Sequence, residues 1–147
     1  MRPKSTPKRV PGGPRHRARE LALKVLFQLE HSPGDDPIEA LAYQAAEEQS
    51  TRSVMEFAEE LVRGVTENRS QLDGAIQAAS TNWKVDQMGR VDRIILRMAV
   101  YEIAVARKIP IRAAINESIG LAKTFGGEES SRFVNGILGK VAETVVP

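Results

Sequence analysis

Three sets of side chains in this 147-residue sequence could do chemistry, and their spacing narrows what that chemistry is. The first is a pair of adjacent carboxylates, Glu128 and Glu129, in the stretch KTFGGEESSRF (residues 123–133). Two carboxylates can divide general acid–base work when both face one substrate. Neighbouring residues at a helix start point in different directions, however, and negative charge there already complements the helix dipole. The second set is the glycines. A phosphate-cradling loop needs glycines around a lysine that is followed by serine or threonine. Here Gly126 and Gly127 precede acids, and Gly139-Lys140 is followed by Val141. The chain has no cysteine and two histidines, His16 and His31, which excludes thiolate catalysis, disulfides and cysteine-ligated zinc. We expect no catalytic residue, no metal site and no cofactor.

The third set is basic. Residues 1–19 hold seven Lys/Arg (Arg2, Lys4, Lys8, Arg9, Arg15, Arg17, Arg19) and no acid, so the formal net charge of +2 divides into +7 there and −5 on the remainder. Such a concentration attracts a polyanion. A solvated tail that only aids solubility is the other reading of the same charges.

Positioning these residues falls to helices. Residues 1–14 contain Pro3, Pro7, Pro11, Gly12, Gly13 and Pro14 and almost nothing apolar, so they are expected to form a disordered arm. Residues 15–147 are expected to form one domain, long enough to bury a core. Ala18, Leu21, Ala22, Val25, Leu26 and Leu29 repeat at helical spacing, ending near Ser32-Pro33-Gly34. Asp36-Pro37 opens a second helix to about Glu48. A third covers Arg52 to Val65, and a fourth Asn68 to Ala79, with Asn82, Trp83 and Lys84 in the following loop. Eleven of the thirteen residues from Ile94 to Ala106 are apolar, which marks the central strut of the fold. Faces led by Ile111 and Phe133 give a sixth and a seventh helix, with Gly126 as the left-handed cap between them. No strand pattern appears, so the fold class is all-α. No apolar run approaches the ~18 residues of a membrane span, and the basic start lacks a signal peptide's apolar core. A cytoplasmic location away from membranes is expected.

On a helical wheel Phe27 falls opposite the apolar stripe of the first helix, with Leu23, His16 and Glu20 beside it and Arg15, Arg17, Arg19 and Lys24 along the stripe's borders. A ring among cations is what single-stranded nucleic acid uses, because bases stack on rings while cations follow phosphates. Packing of Phe27 and Leu23 against a second helix layer is the alternative. On the last helix Arg132, Asn135, Gly136 and Gly139 share the outward side. Interior glycines cost about 1 kcal/mol each against alanine, which either a close-approaching backbone or ligand, or a poorly optimised helix, explains. Phe125 lies on the apolar side of the sixth helix, and Lys123 points away with Arg112 and Asn116.

Three blocks carry a resemblance: RHRARELALKVLFQLE from Arg15, NWKVDQMGRVDRIILRMAVYEI from Asn82 and IRAAINESIGLAKTFGGEESSRFVNGILGKV from Ile111. In this order, over residues 15–145, they resemble the NusB family of bacterial transcription antitermination factors. The resemblance implies seven helices in two packed three-helix bundles and no catalytic activity. It implies an adaptor that binds the boxA element of nascent ribosomal RNA together with NusE, a ribosomal protein. Other Nus factors and RNA polymerase join the larger complex, which promotes processive transcription of ribosomal RNA operons.

By position, the resemblance implies RNA contacts at Arg15, His16, Arg17, Arg19 and Phe27, and at Lys123, Phe125, Glu129, Arg132 and Phe133. It implies a NusE contact at Asp92. Phe27 lacks the hydroxyl of a family tyrosine, and His16 weakens the basic run at neutral pH. A similar helical domain precedes some ribosomal RNA cytosine methyltransferases, but that reading needs a glycine-loop cofactor domain that this sequence does not contain.

Overall fold

The computed structural model describes residues 13–145, and over these the chain is helical without strands. Seven α-helices run Gly13–His31 (α1), Pro37–Glu47 (α2), Arg52–Glu67 (α3), Arg69–Ala79 (α4), Arg90–Val100 (α5), Ile111–Gly126 (α6) and Glu128–Thr144 (α7). Residues 1–12 of the expected arm lie outside the described residues. Gly13 and Pro14, expected in that arm, instead open α1. Proline suits a first turn because its missing N–H has no partner there anyway.

The local signals act as elementary chemistry requires. The Asp36 carboxylate accepts from the Glu39 N–H at 3.1 Å and Pro37 takes the first helical position of α2. Thr51 Oγ1 accepts from the Val54 N–H at 3.3 Å to start α3. Between α6 and α7 the left-handed residue is Gly127, at φ +91°, and Gly126 is the last residue of α6. The expected cap is therefore displaced by one position. Gly126 has its own reason to lack a side chain: a Cβ there would overlap Ser130 across the corner. Glu128 and Glu129 sit in the first turn of α7, where the dipole favours them.

Helices α1, α2 and α3 pack on one another, as do α4, α5, α6 and α7, and α5 touches α1 and α3 as well. That position makes α5 the strut the sequence pointed to; Ile94, Ile95, Leu96 and Met98 are almost completely buried. The helix does not continue regularly to Ala106. From Tyr101 to Ala106 it widens into π-helical turns and closes on Arg107, whose φ of +53° is left-handed. Such turns insert a residue into the helical register and re-aim the side chains that follow. Here they carry Glu102 into the interior and lay the Tyr101 ring against α3.

At that contact a Cβ on Gly64 would run into the Tyr101 ring, whereas Gly136 and Gly139 of α7 face open space. No other part of the described residues comes within 4 Å of where their Cβ atoms would be, so α7's glycines admit no close backbone approach among these residues. Gly64→Ala is expected to destabilise the fold by about 1–3 kcal/mol through overpacking. Gly136→Ala should stabilise it by about 0.5–1 kcal/mol through helix propensity. Urea midpoints of the two variants check both signs.

Candidate nucleic-acid interface

The basic opening of α1 is sorted by its neighbours. Arg15 is exposed and lays its guanidinium 4.3 Å from the centre of the Phe57 ring on α3, a cation–π contact. Arg17 is half-buried and makes no ion pair among the described residues. His16 is engaged by Glu20 at 3.0 Å and lies 3.5 Å from Glu117 on α6.

Arg19 departs from the expected surface contact. Only 4% exposed, it donates from Nε and Nη2 to the two oxygens of Glu102, each at 2.8 Å. Its guanidinium also lies 5.2 Å from the Phe57 ring centre and 3.5 Å from Glu117. Burial works against its charge, but the hydrogen bonds and attraction to Glu102 outweigh burial and hold the guanidinium above its ordinary value. The wheel placed Arg19 at the edge of one apolar stripe. Helices on more than one side of α1, with a carboxylate delivered by the π-turns, convert that edge into interior.

Leu23 is likewise 2% exposed and packs as core, so the second-layer reading holds for it. Phe27 is half-buried. One side of it packs against the core, and the Arg90 guanidinium lies 5.7 Å from its ring centre, with the His31 ring at 5.1 Å.

The second block behaves differently. Lys123, Phe125, Glu129 and Arg132 are exposed around the α6–α7 corner, and Phe133 is half-buried against the core. Phe125, placed on the apolar side of its helix by the wheel, is 36% exposed. Among the described residues Arg132 has only a long contact to Glu128, 3.9 Å. The described contacts connect the two blocks through other residues. Glu117 of α6 reaches His16 and Arg19 of α1, and Arg90 at the start of α5 reaches His31. Asp92 Oδ1 then lies 3.7 Å from where a Cβ on Gly126 would be.

Asp92 lines an open groove of about 410 Å³ with Trp83, Met88, Glu129, Ser130 and Phe133. Its Oδ1 is buried and has no hydrogen-bond partner among the described residues. An unsatisfied carboxylate oxygen is costly, and a donor arriving from outside would relieve it. Trp83, 52% exposed, forms the rim of this groove and of a neighbouring one lined by Asn82, Arg132, Gly136 and Lys140. Sequence reasoning saw Trp83 as a loop residue and gave Arg90 no role; a tryptophan in a polar loop and an arginine in the first turn of a helix were the available signs.

The chain matches the NusB family model over residues 16–143. It belongs to the NusB family. The transcription antitermination protein NusB of Pelotomaculum thermopropionicum is 44% identical over 130 residues, covering 88% of this chain and 90% of that protein. The protein of the same description from Bacillus subtilis is 42% identical over 131 residues, covering 89% and 96%. Among solved structures, NusB of T. maritima superposes with a TM-score of 0.83 at 35% identity, covering 98% of this chain and 96% of that one. The same fold, at 24% identity and a TM-score of 0.81, occurs in a structure of antitermination factors NusB and NusE in complex with dsRNA, with 89% and 97% covered.

Two stability predictions follow from the ion pairs that hold this NusB-family surface. Arg19→Ala should cost about 3–5 kcal/mol, because it strands the Glu102 charge, whereas Arg19→Met with Glu102→Leu should recover most of the loss. Chemical denaturation of the three proteins tests this. Glu30 faces Arg90, Arg93 and Arg97 at 3.3, 2.6 and 3.0 Å. Burial raises its carboxyl, but the hydrogen bonds and charges of Arg93 and Arg97 prevail and hold it below the ordinary 4.5. A depressed carboxylate stabilises fully above its unfolded value and loses that contribution as pH falls through the lower folded one. Glu30→Gln should therefore flatten the acid limb of stability below about pH 5, read as urea midpoints across that range.

Proposed function

We propose that this chain is a non-catalytic transcription antitermination factor that binds boxA-type single-stranded RNA of nascent ribosomal RNA transcripts together with NusE. The observation that carries the proposal is the set of exposed or half-buried cations and rings spread between the opening of α1 and the α6–α7 corner: Arg15, Arg17, Phe27, Lys123, Phe125 and Arg132. Exposed cations track phosphates, and partly exposed rings accept unstacked bases. His16, Glu129 and Phe133 border this surface, and Arg19 serves it from beneath by fixing α1. Membership of the NusB family, whose curated relatives are transcription antitermination proteins, points the same way.

The Asp92 groove is the docking place for NusE in this proposal. It joins an unsatisfied carboxylate to the apolar surfaces of Trp83, Met88 and Phe133, which suits a basic residue set in an apolar protein face. The RNA-bound pair then enters a larger assembly with other Nus factors and RNA polymerase that promotes processive transcription of ribosomal RNA operons. A NusB chain of this fold has been solved with NusE and dsRNA.

Fluorescence anisotropy of a boxA-like RNA, against a scrambled control and with or without NusE, tests the proposal. Affinity should favour boxA, rise with NusE and fall steeply between about 50 and 200 mM salt. Arg17→Glu and Lys123→Glu should each weaken RNA binding by about tenfold with helix content unchanged. Asp92→Asn should weaken NusE binding. RNA binding indifferent to both NusE and sequence would sink the assignment.

A further inference from the structure

Arg90 occupies an electrostatically unfavourable place: it is the first residue of α5, where the positive end of the helix dipole repels a cation. It also joins a crowd. Arg90, Arg93 and Arg97 converge on Glu30, Arg97 takes Asp73 as a second partner, and Arg69 lies 3.9 Å from the same Asp73. Four guanidiniums thus share two carboxylates. The excess cannot be released by Arg93 or Arg97, whose side chains are 14% and 5% exposed. Arg90, at 43%, is an outlet to solvent.

That outlet is oriented. Arg90 Nη1 donates to His31 Nε2 at 2.8 Å, and the guanidinium carbon stands 5.7 Å from the centre of the Phe27 ring. Donation to Nε2 leaves the ring proton of His31 on Nδ1, facing the Phe27 carbonyl at 3.4 Å. Phe27, His31 and Arg90 therefore form one cluster of two rings, inclined at 53°, and a planar cation that Glu30 also holds. The other arginine outlet, Arg69, opens on a cleft that also contains Asp73 and Asp86 and has no aromatic lining, so it lacks this character.

We propose that Arg90 is an RNA-contacting residue. In this role it binds a backbone phosphate beside a base that stacks on Phe27, and it carries the strand from α1 across the start of α5 toward the α6–α7 corner. The inference rests on the RNA-binding reading above and adds to it a residue and a route. A guanidinium held against a ring is pre-organised for phosphate and loses little rotamer freedom on binding.

The test uses the full chain with a single-stranded boxA-like RNA carrying 2-aminopurine, and compares the unaltered protein with Arg90→Gln, Arg90→Lys, Phe27→Leu and the Arg90→Gln/Phe27→Leu pair. Arg90→Gln should weaken RNA binding about five- to tenfold and lower the slope of log affinity against log salt by about one. Arg90→Lys should restore the slope but only part of the affinity, since lysine keeps the charge without the planar fork. Both Arg90→Gln and Phe27→Leu should alter 2-aminopurine fluorescence at the same base, and their joint loss should fall short of the two single losses combined. Thermal unfolding of Arg90→Gln should match the unaltered protein, because Arg93 and Arg97 remain on Glu30.

If the unaltered chain binds RNA and Arg90→Gln changes neither affinity nor salt slope, the inference is overturned while the RNA reading stands. Loss of NusE affinity with RNA affinity intact would assign this face to the protein partner and overturn it equally. No RNA binding by the unaltered chain removes both.

Discussion

The buried pair of Arg19 and Glu102 ties the leading helix to the centre of the molecule. A bidentate guanidinium–carboxylate contact is directional, so it fixes the rotation of α1 about its axis as well as its position. A buried pair of this kind contributes modestly to net stability, because removing two charges from water costs about what their attraction returns. What it secures is geometry. With α1 rotated as it is, Arg15 stacks on Phe57, Leu23 is interior and Phe27 lies beside the start of α5. A different rotation would scatter these residues. The π-turns at Tyr101–Ala106 belong to the same arrangement, since they deliver Glu102 to its partner.

Acids decide which cations remain for a ligand. Glu20, Glu102 and Glu117 take up His16 and Arg19, and Glu30 and Asp73 hold Arg93 and Arg97 in half-buried or buried positions. Among the positive groups left at least partly at the surface are Arg15, Arg17, Arg90, Lys123 and Arg132, on α1, α5, α6 and α7. A weak overall charge of +2 thus conceals cations, Arg15, Arg17 and Lys123, that no carboxylate pairs among the described residues. Phosphate contacts made by such groups release counterions, so their strength depends on salt in a way that a buried pair's does not.

Glycine has opposite meanings at different corners. At Gly64 and Gly126 the absent side chain lets the Tyr101 ring and Ser130 come close, and at Gly127 the backbone takes a left-handed turn that favours glycine. These positions set the contact between α3 and the π-turns and the α6–α7 corner. Gly136 and Gly139, equally prominent in the sequence, do neither and look onto open space. Composition cannot separate the two cases, because the difference is what stands opposite.

The helical class, the number of α-helices, the proline start of α2 and the burial of the strut from Ile94 to Val100 were legible in the sequence. Those features follow from periodicity, local hydrogen bonds and apolar content, all of which act within a few residues. It also marked Arg17, Lys123 and Arg132 as surface candidates, and the structure leaves each at least partly exposed, whereas Phe125, read onto the apolar side of its helix, is exposed as well. Packing between helices settled that Arg19 turns inward, that Phe27 is shared between core and surface, that Arg90 meets Phe27 and His31, and that Trp83 rims the Asp92 groove. A helical wheel assigns one buried side, whereas α1 meets α2, α3 and α5 around its circumference. Whether an arginine is neutralised depends on a carboxylate 83 residues away, as Glu102 is from Arg19. Such pairings are set by packing between helices, and no spacing within one helix encodes them.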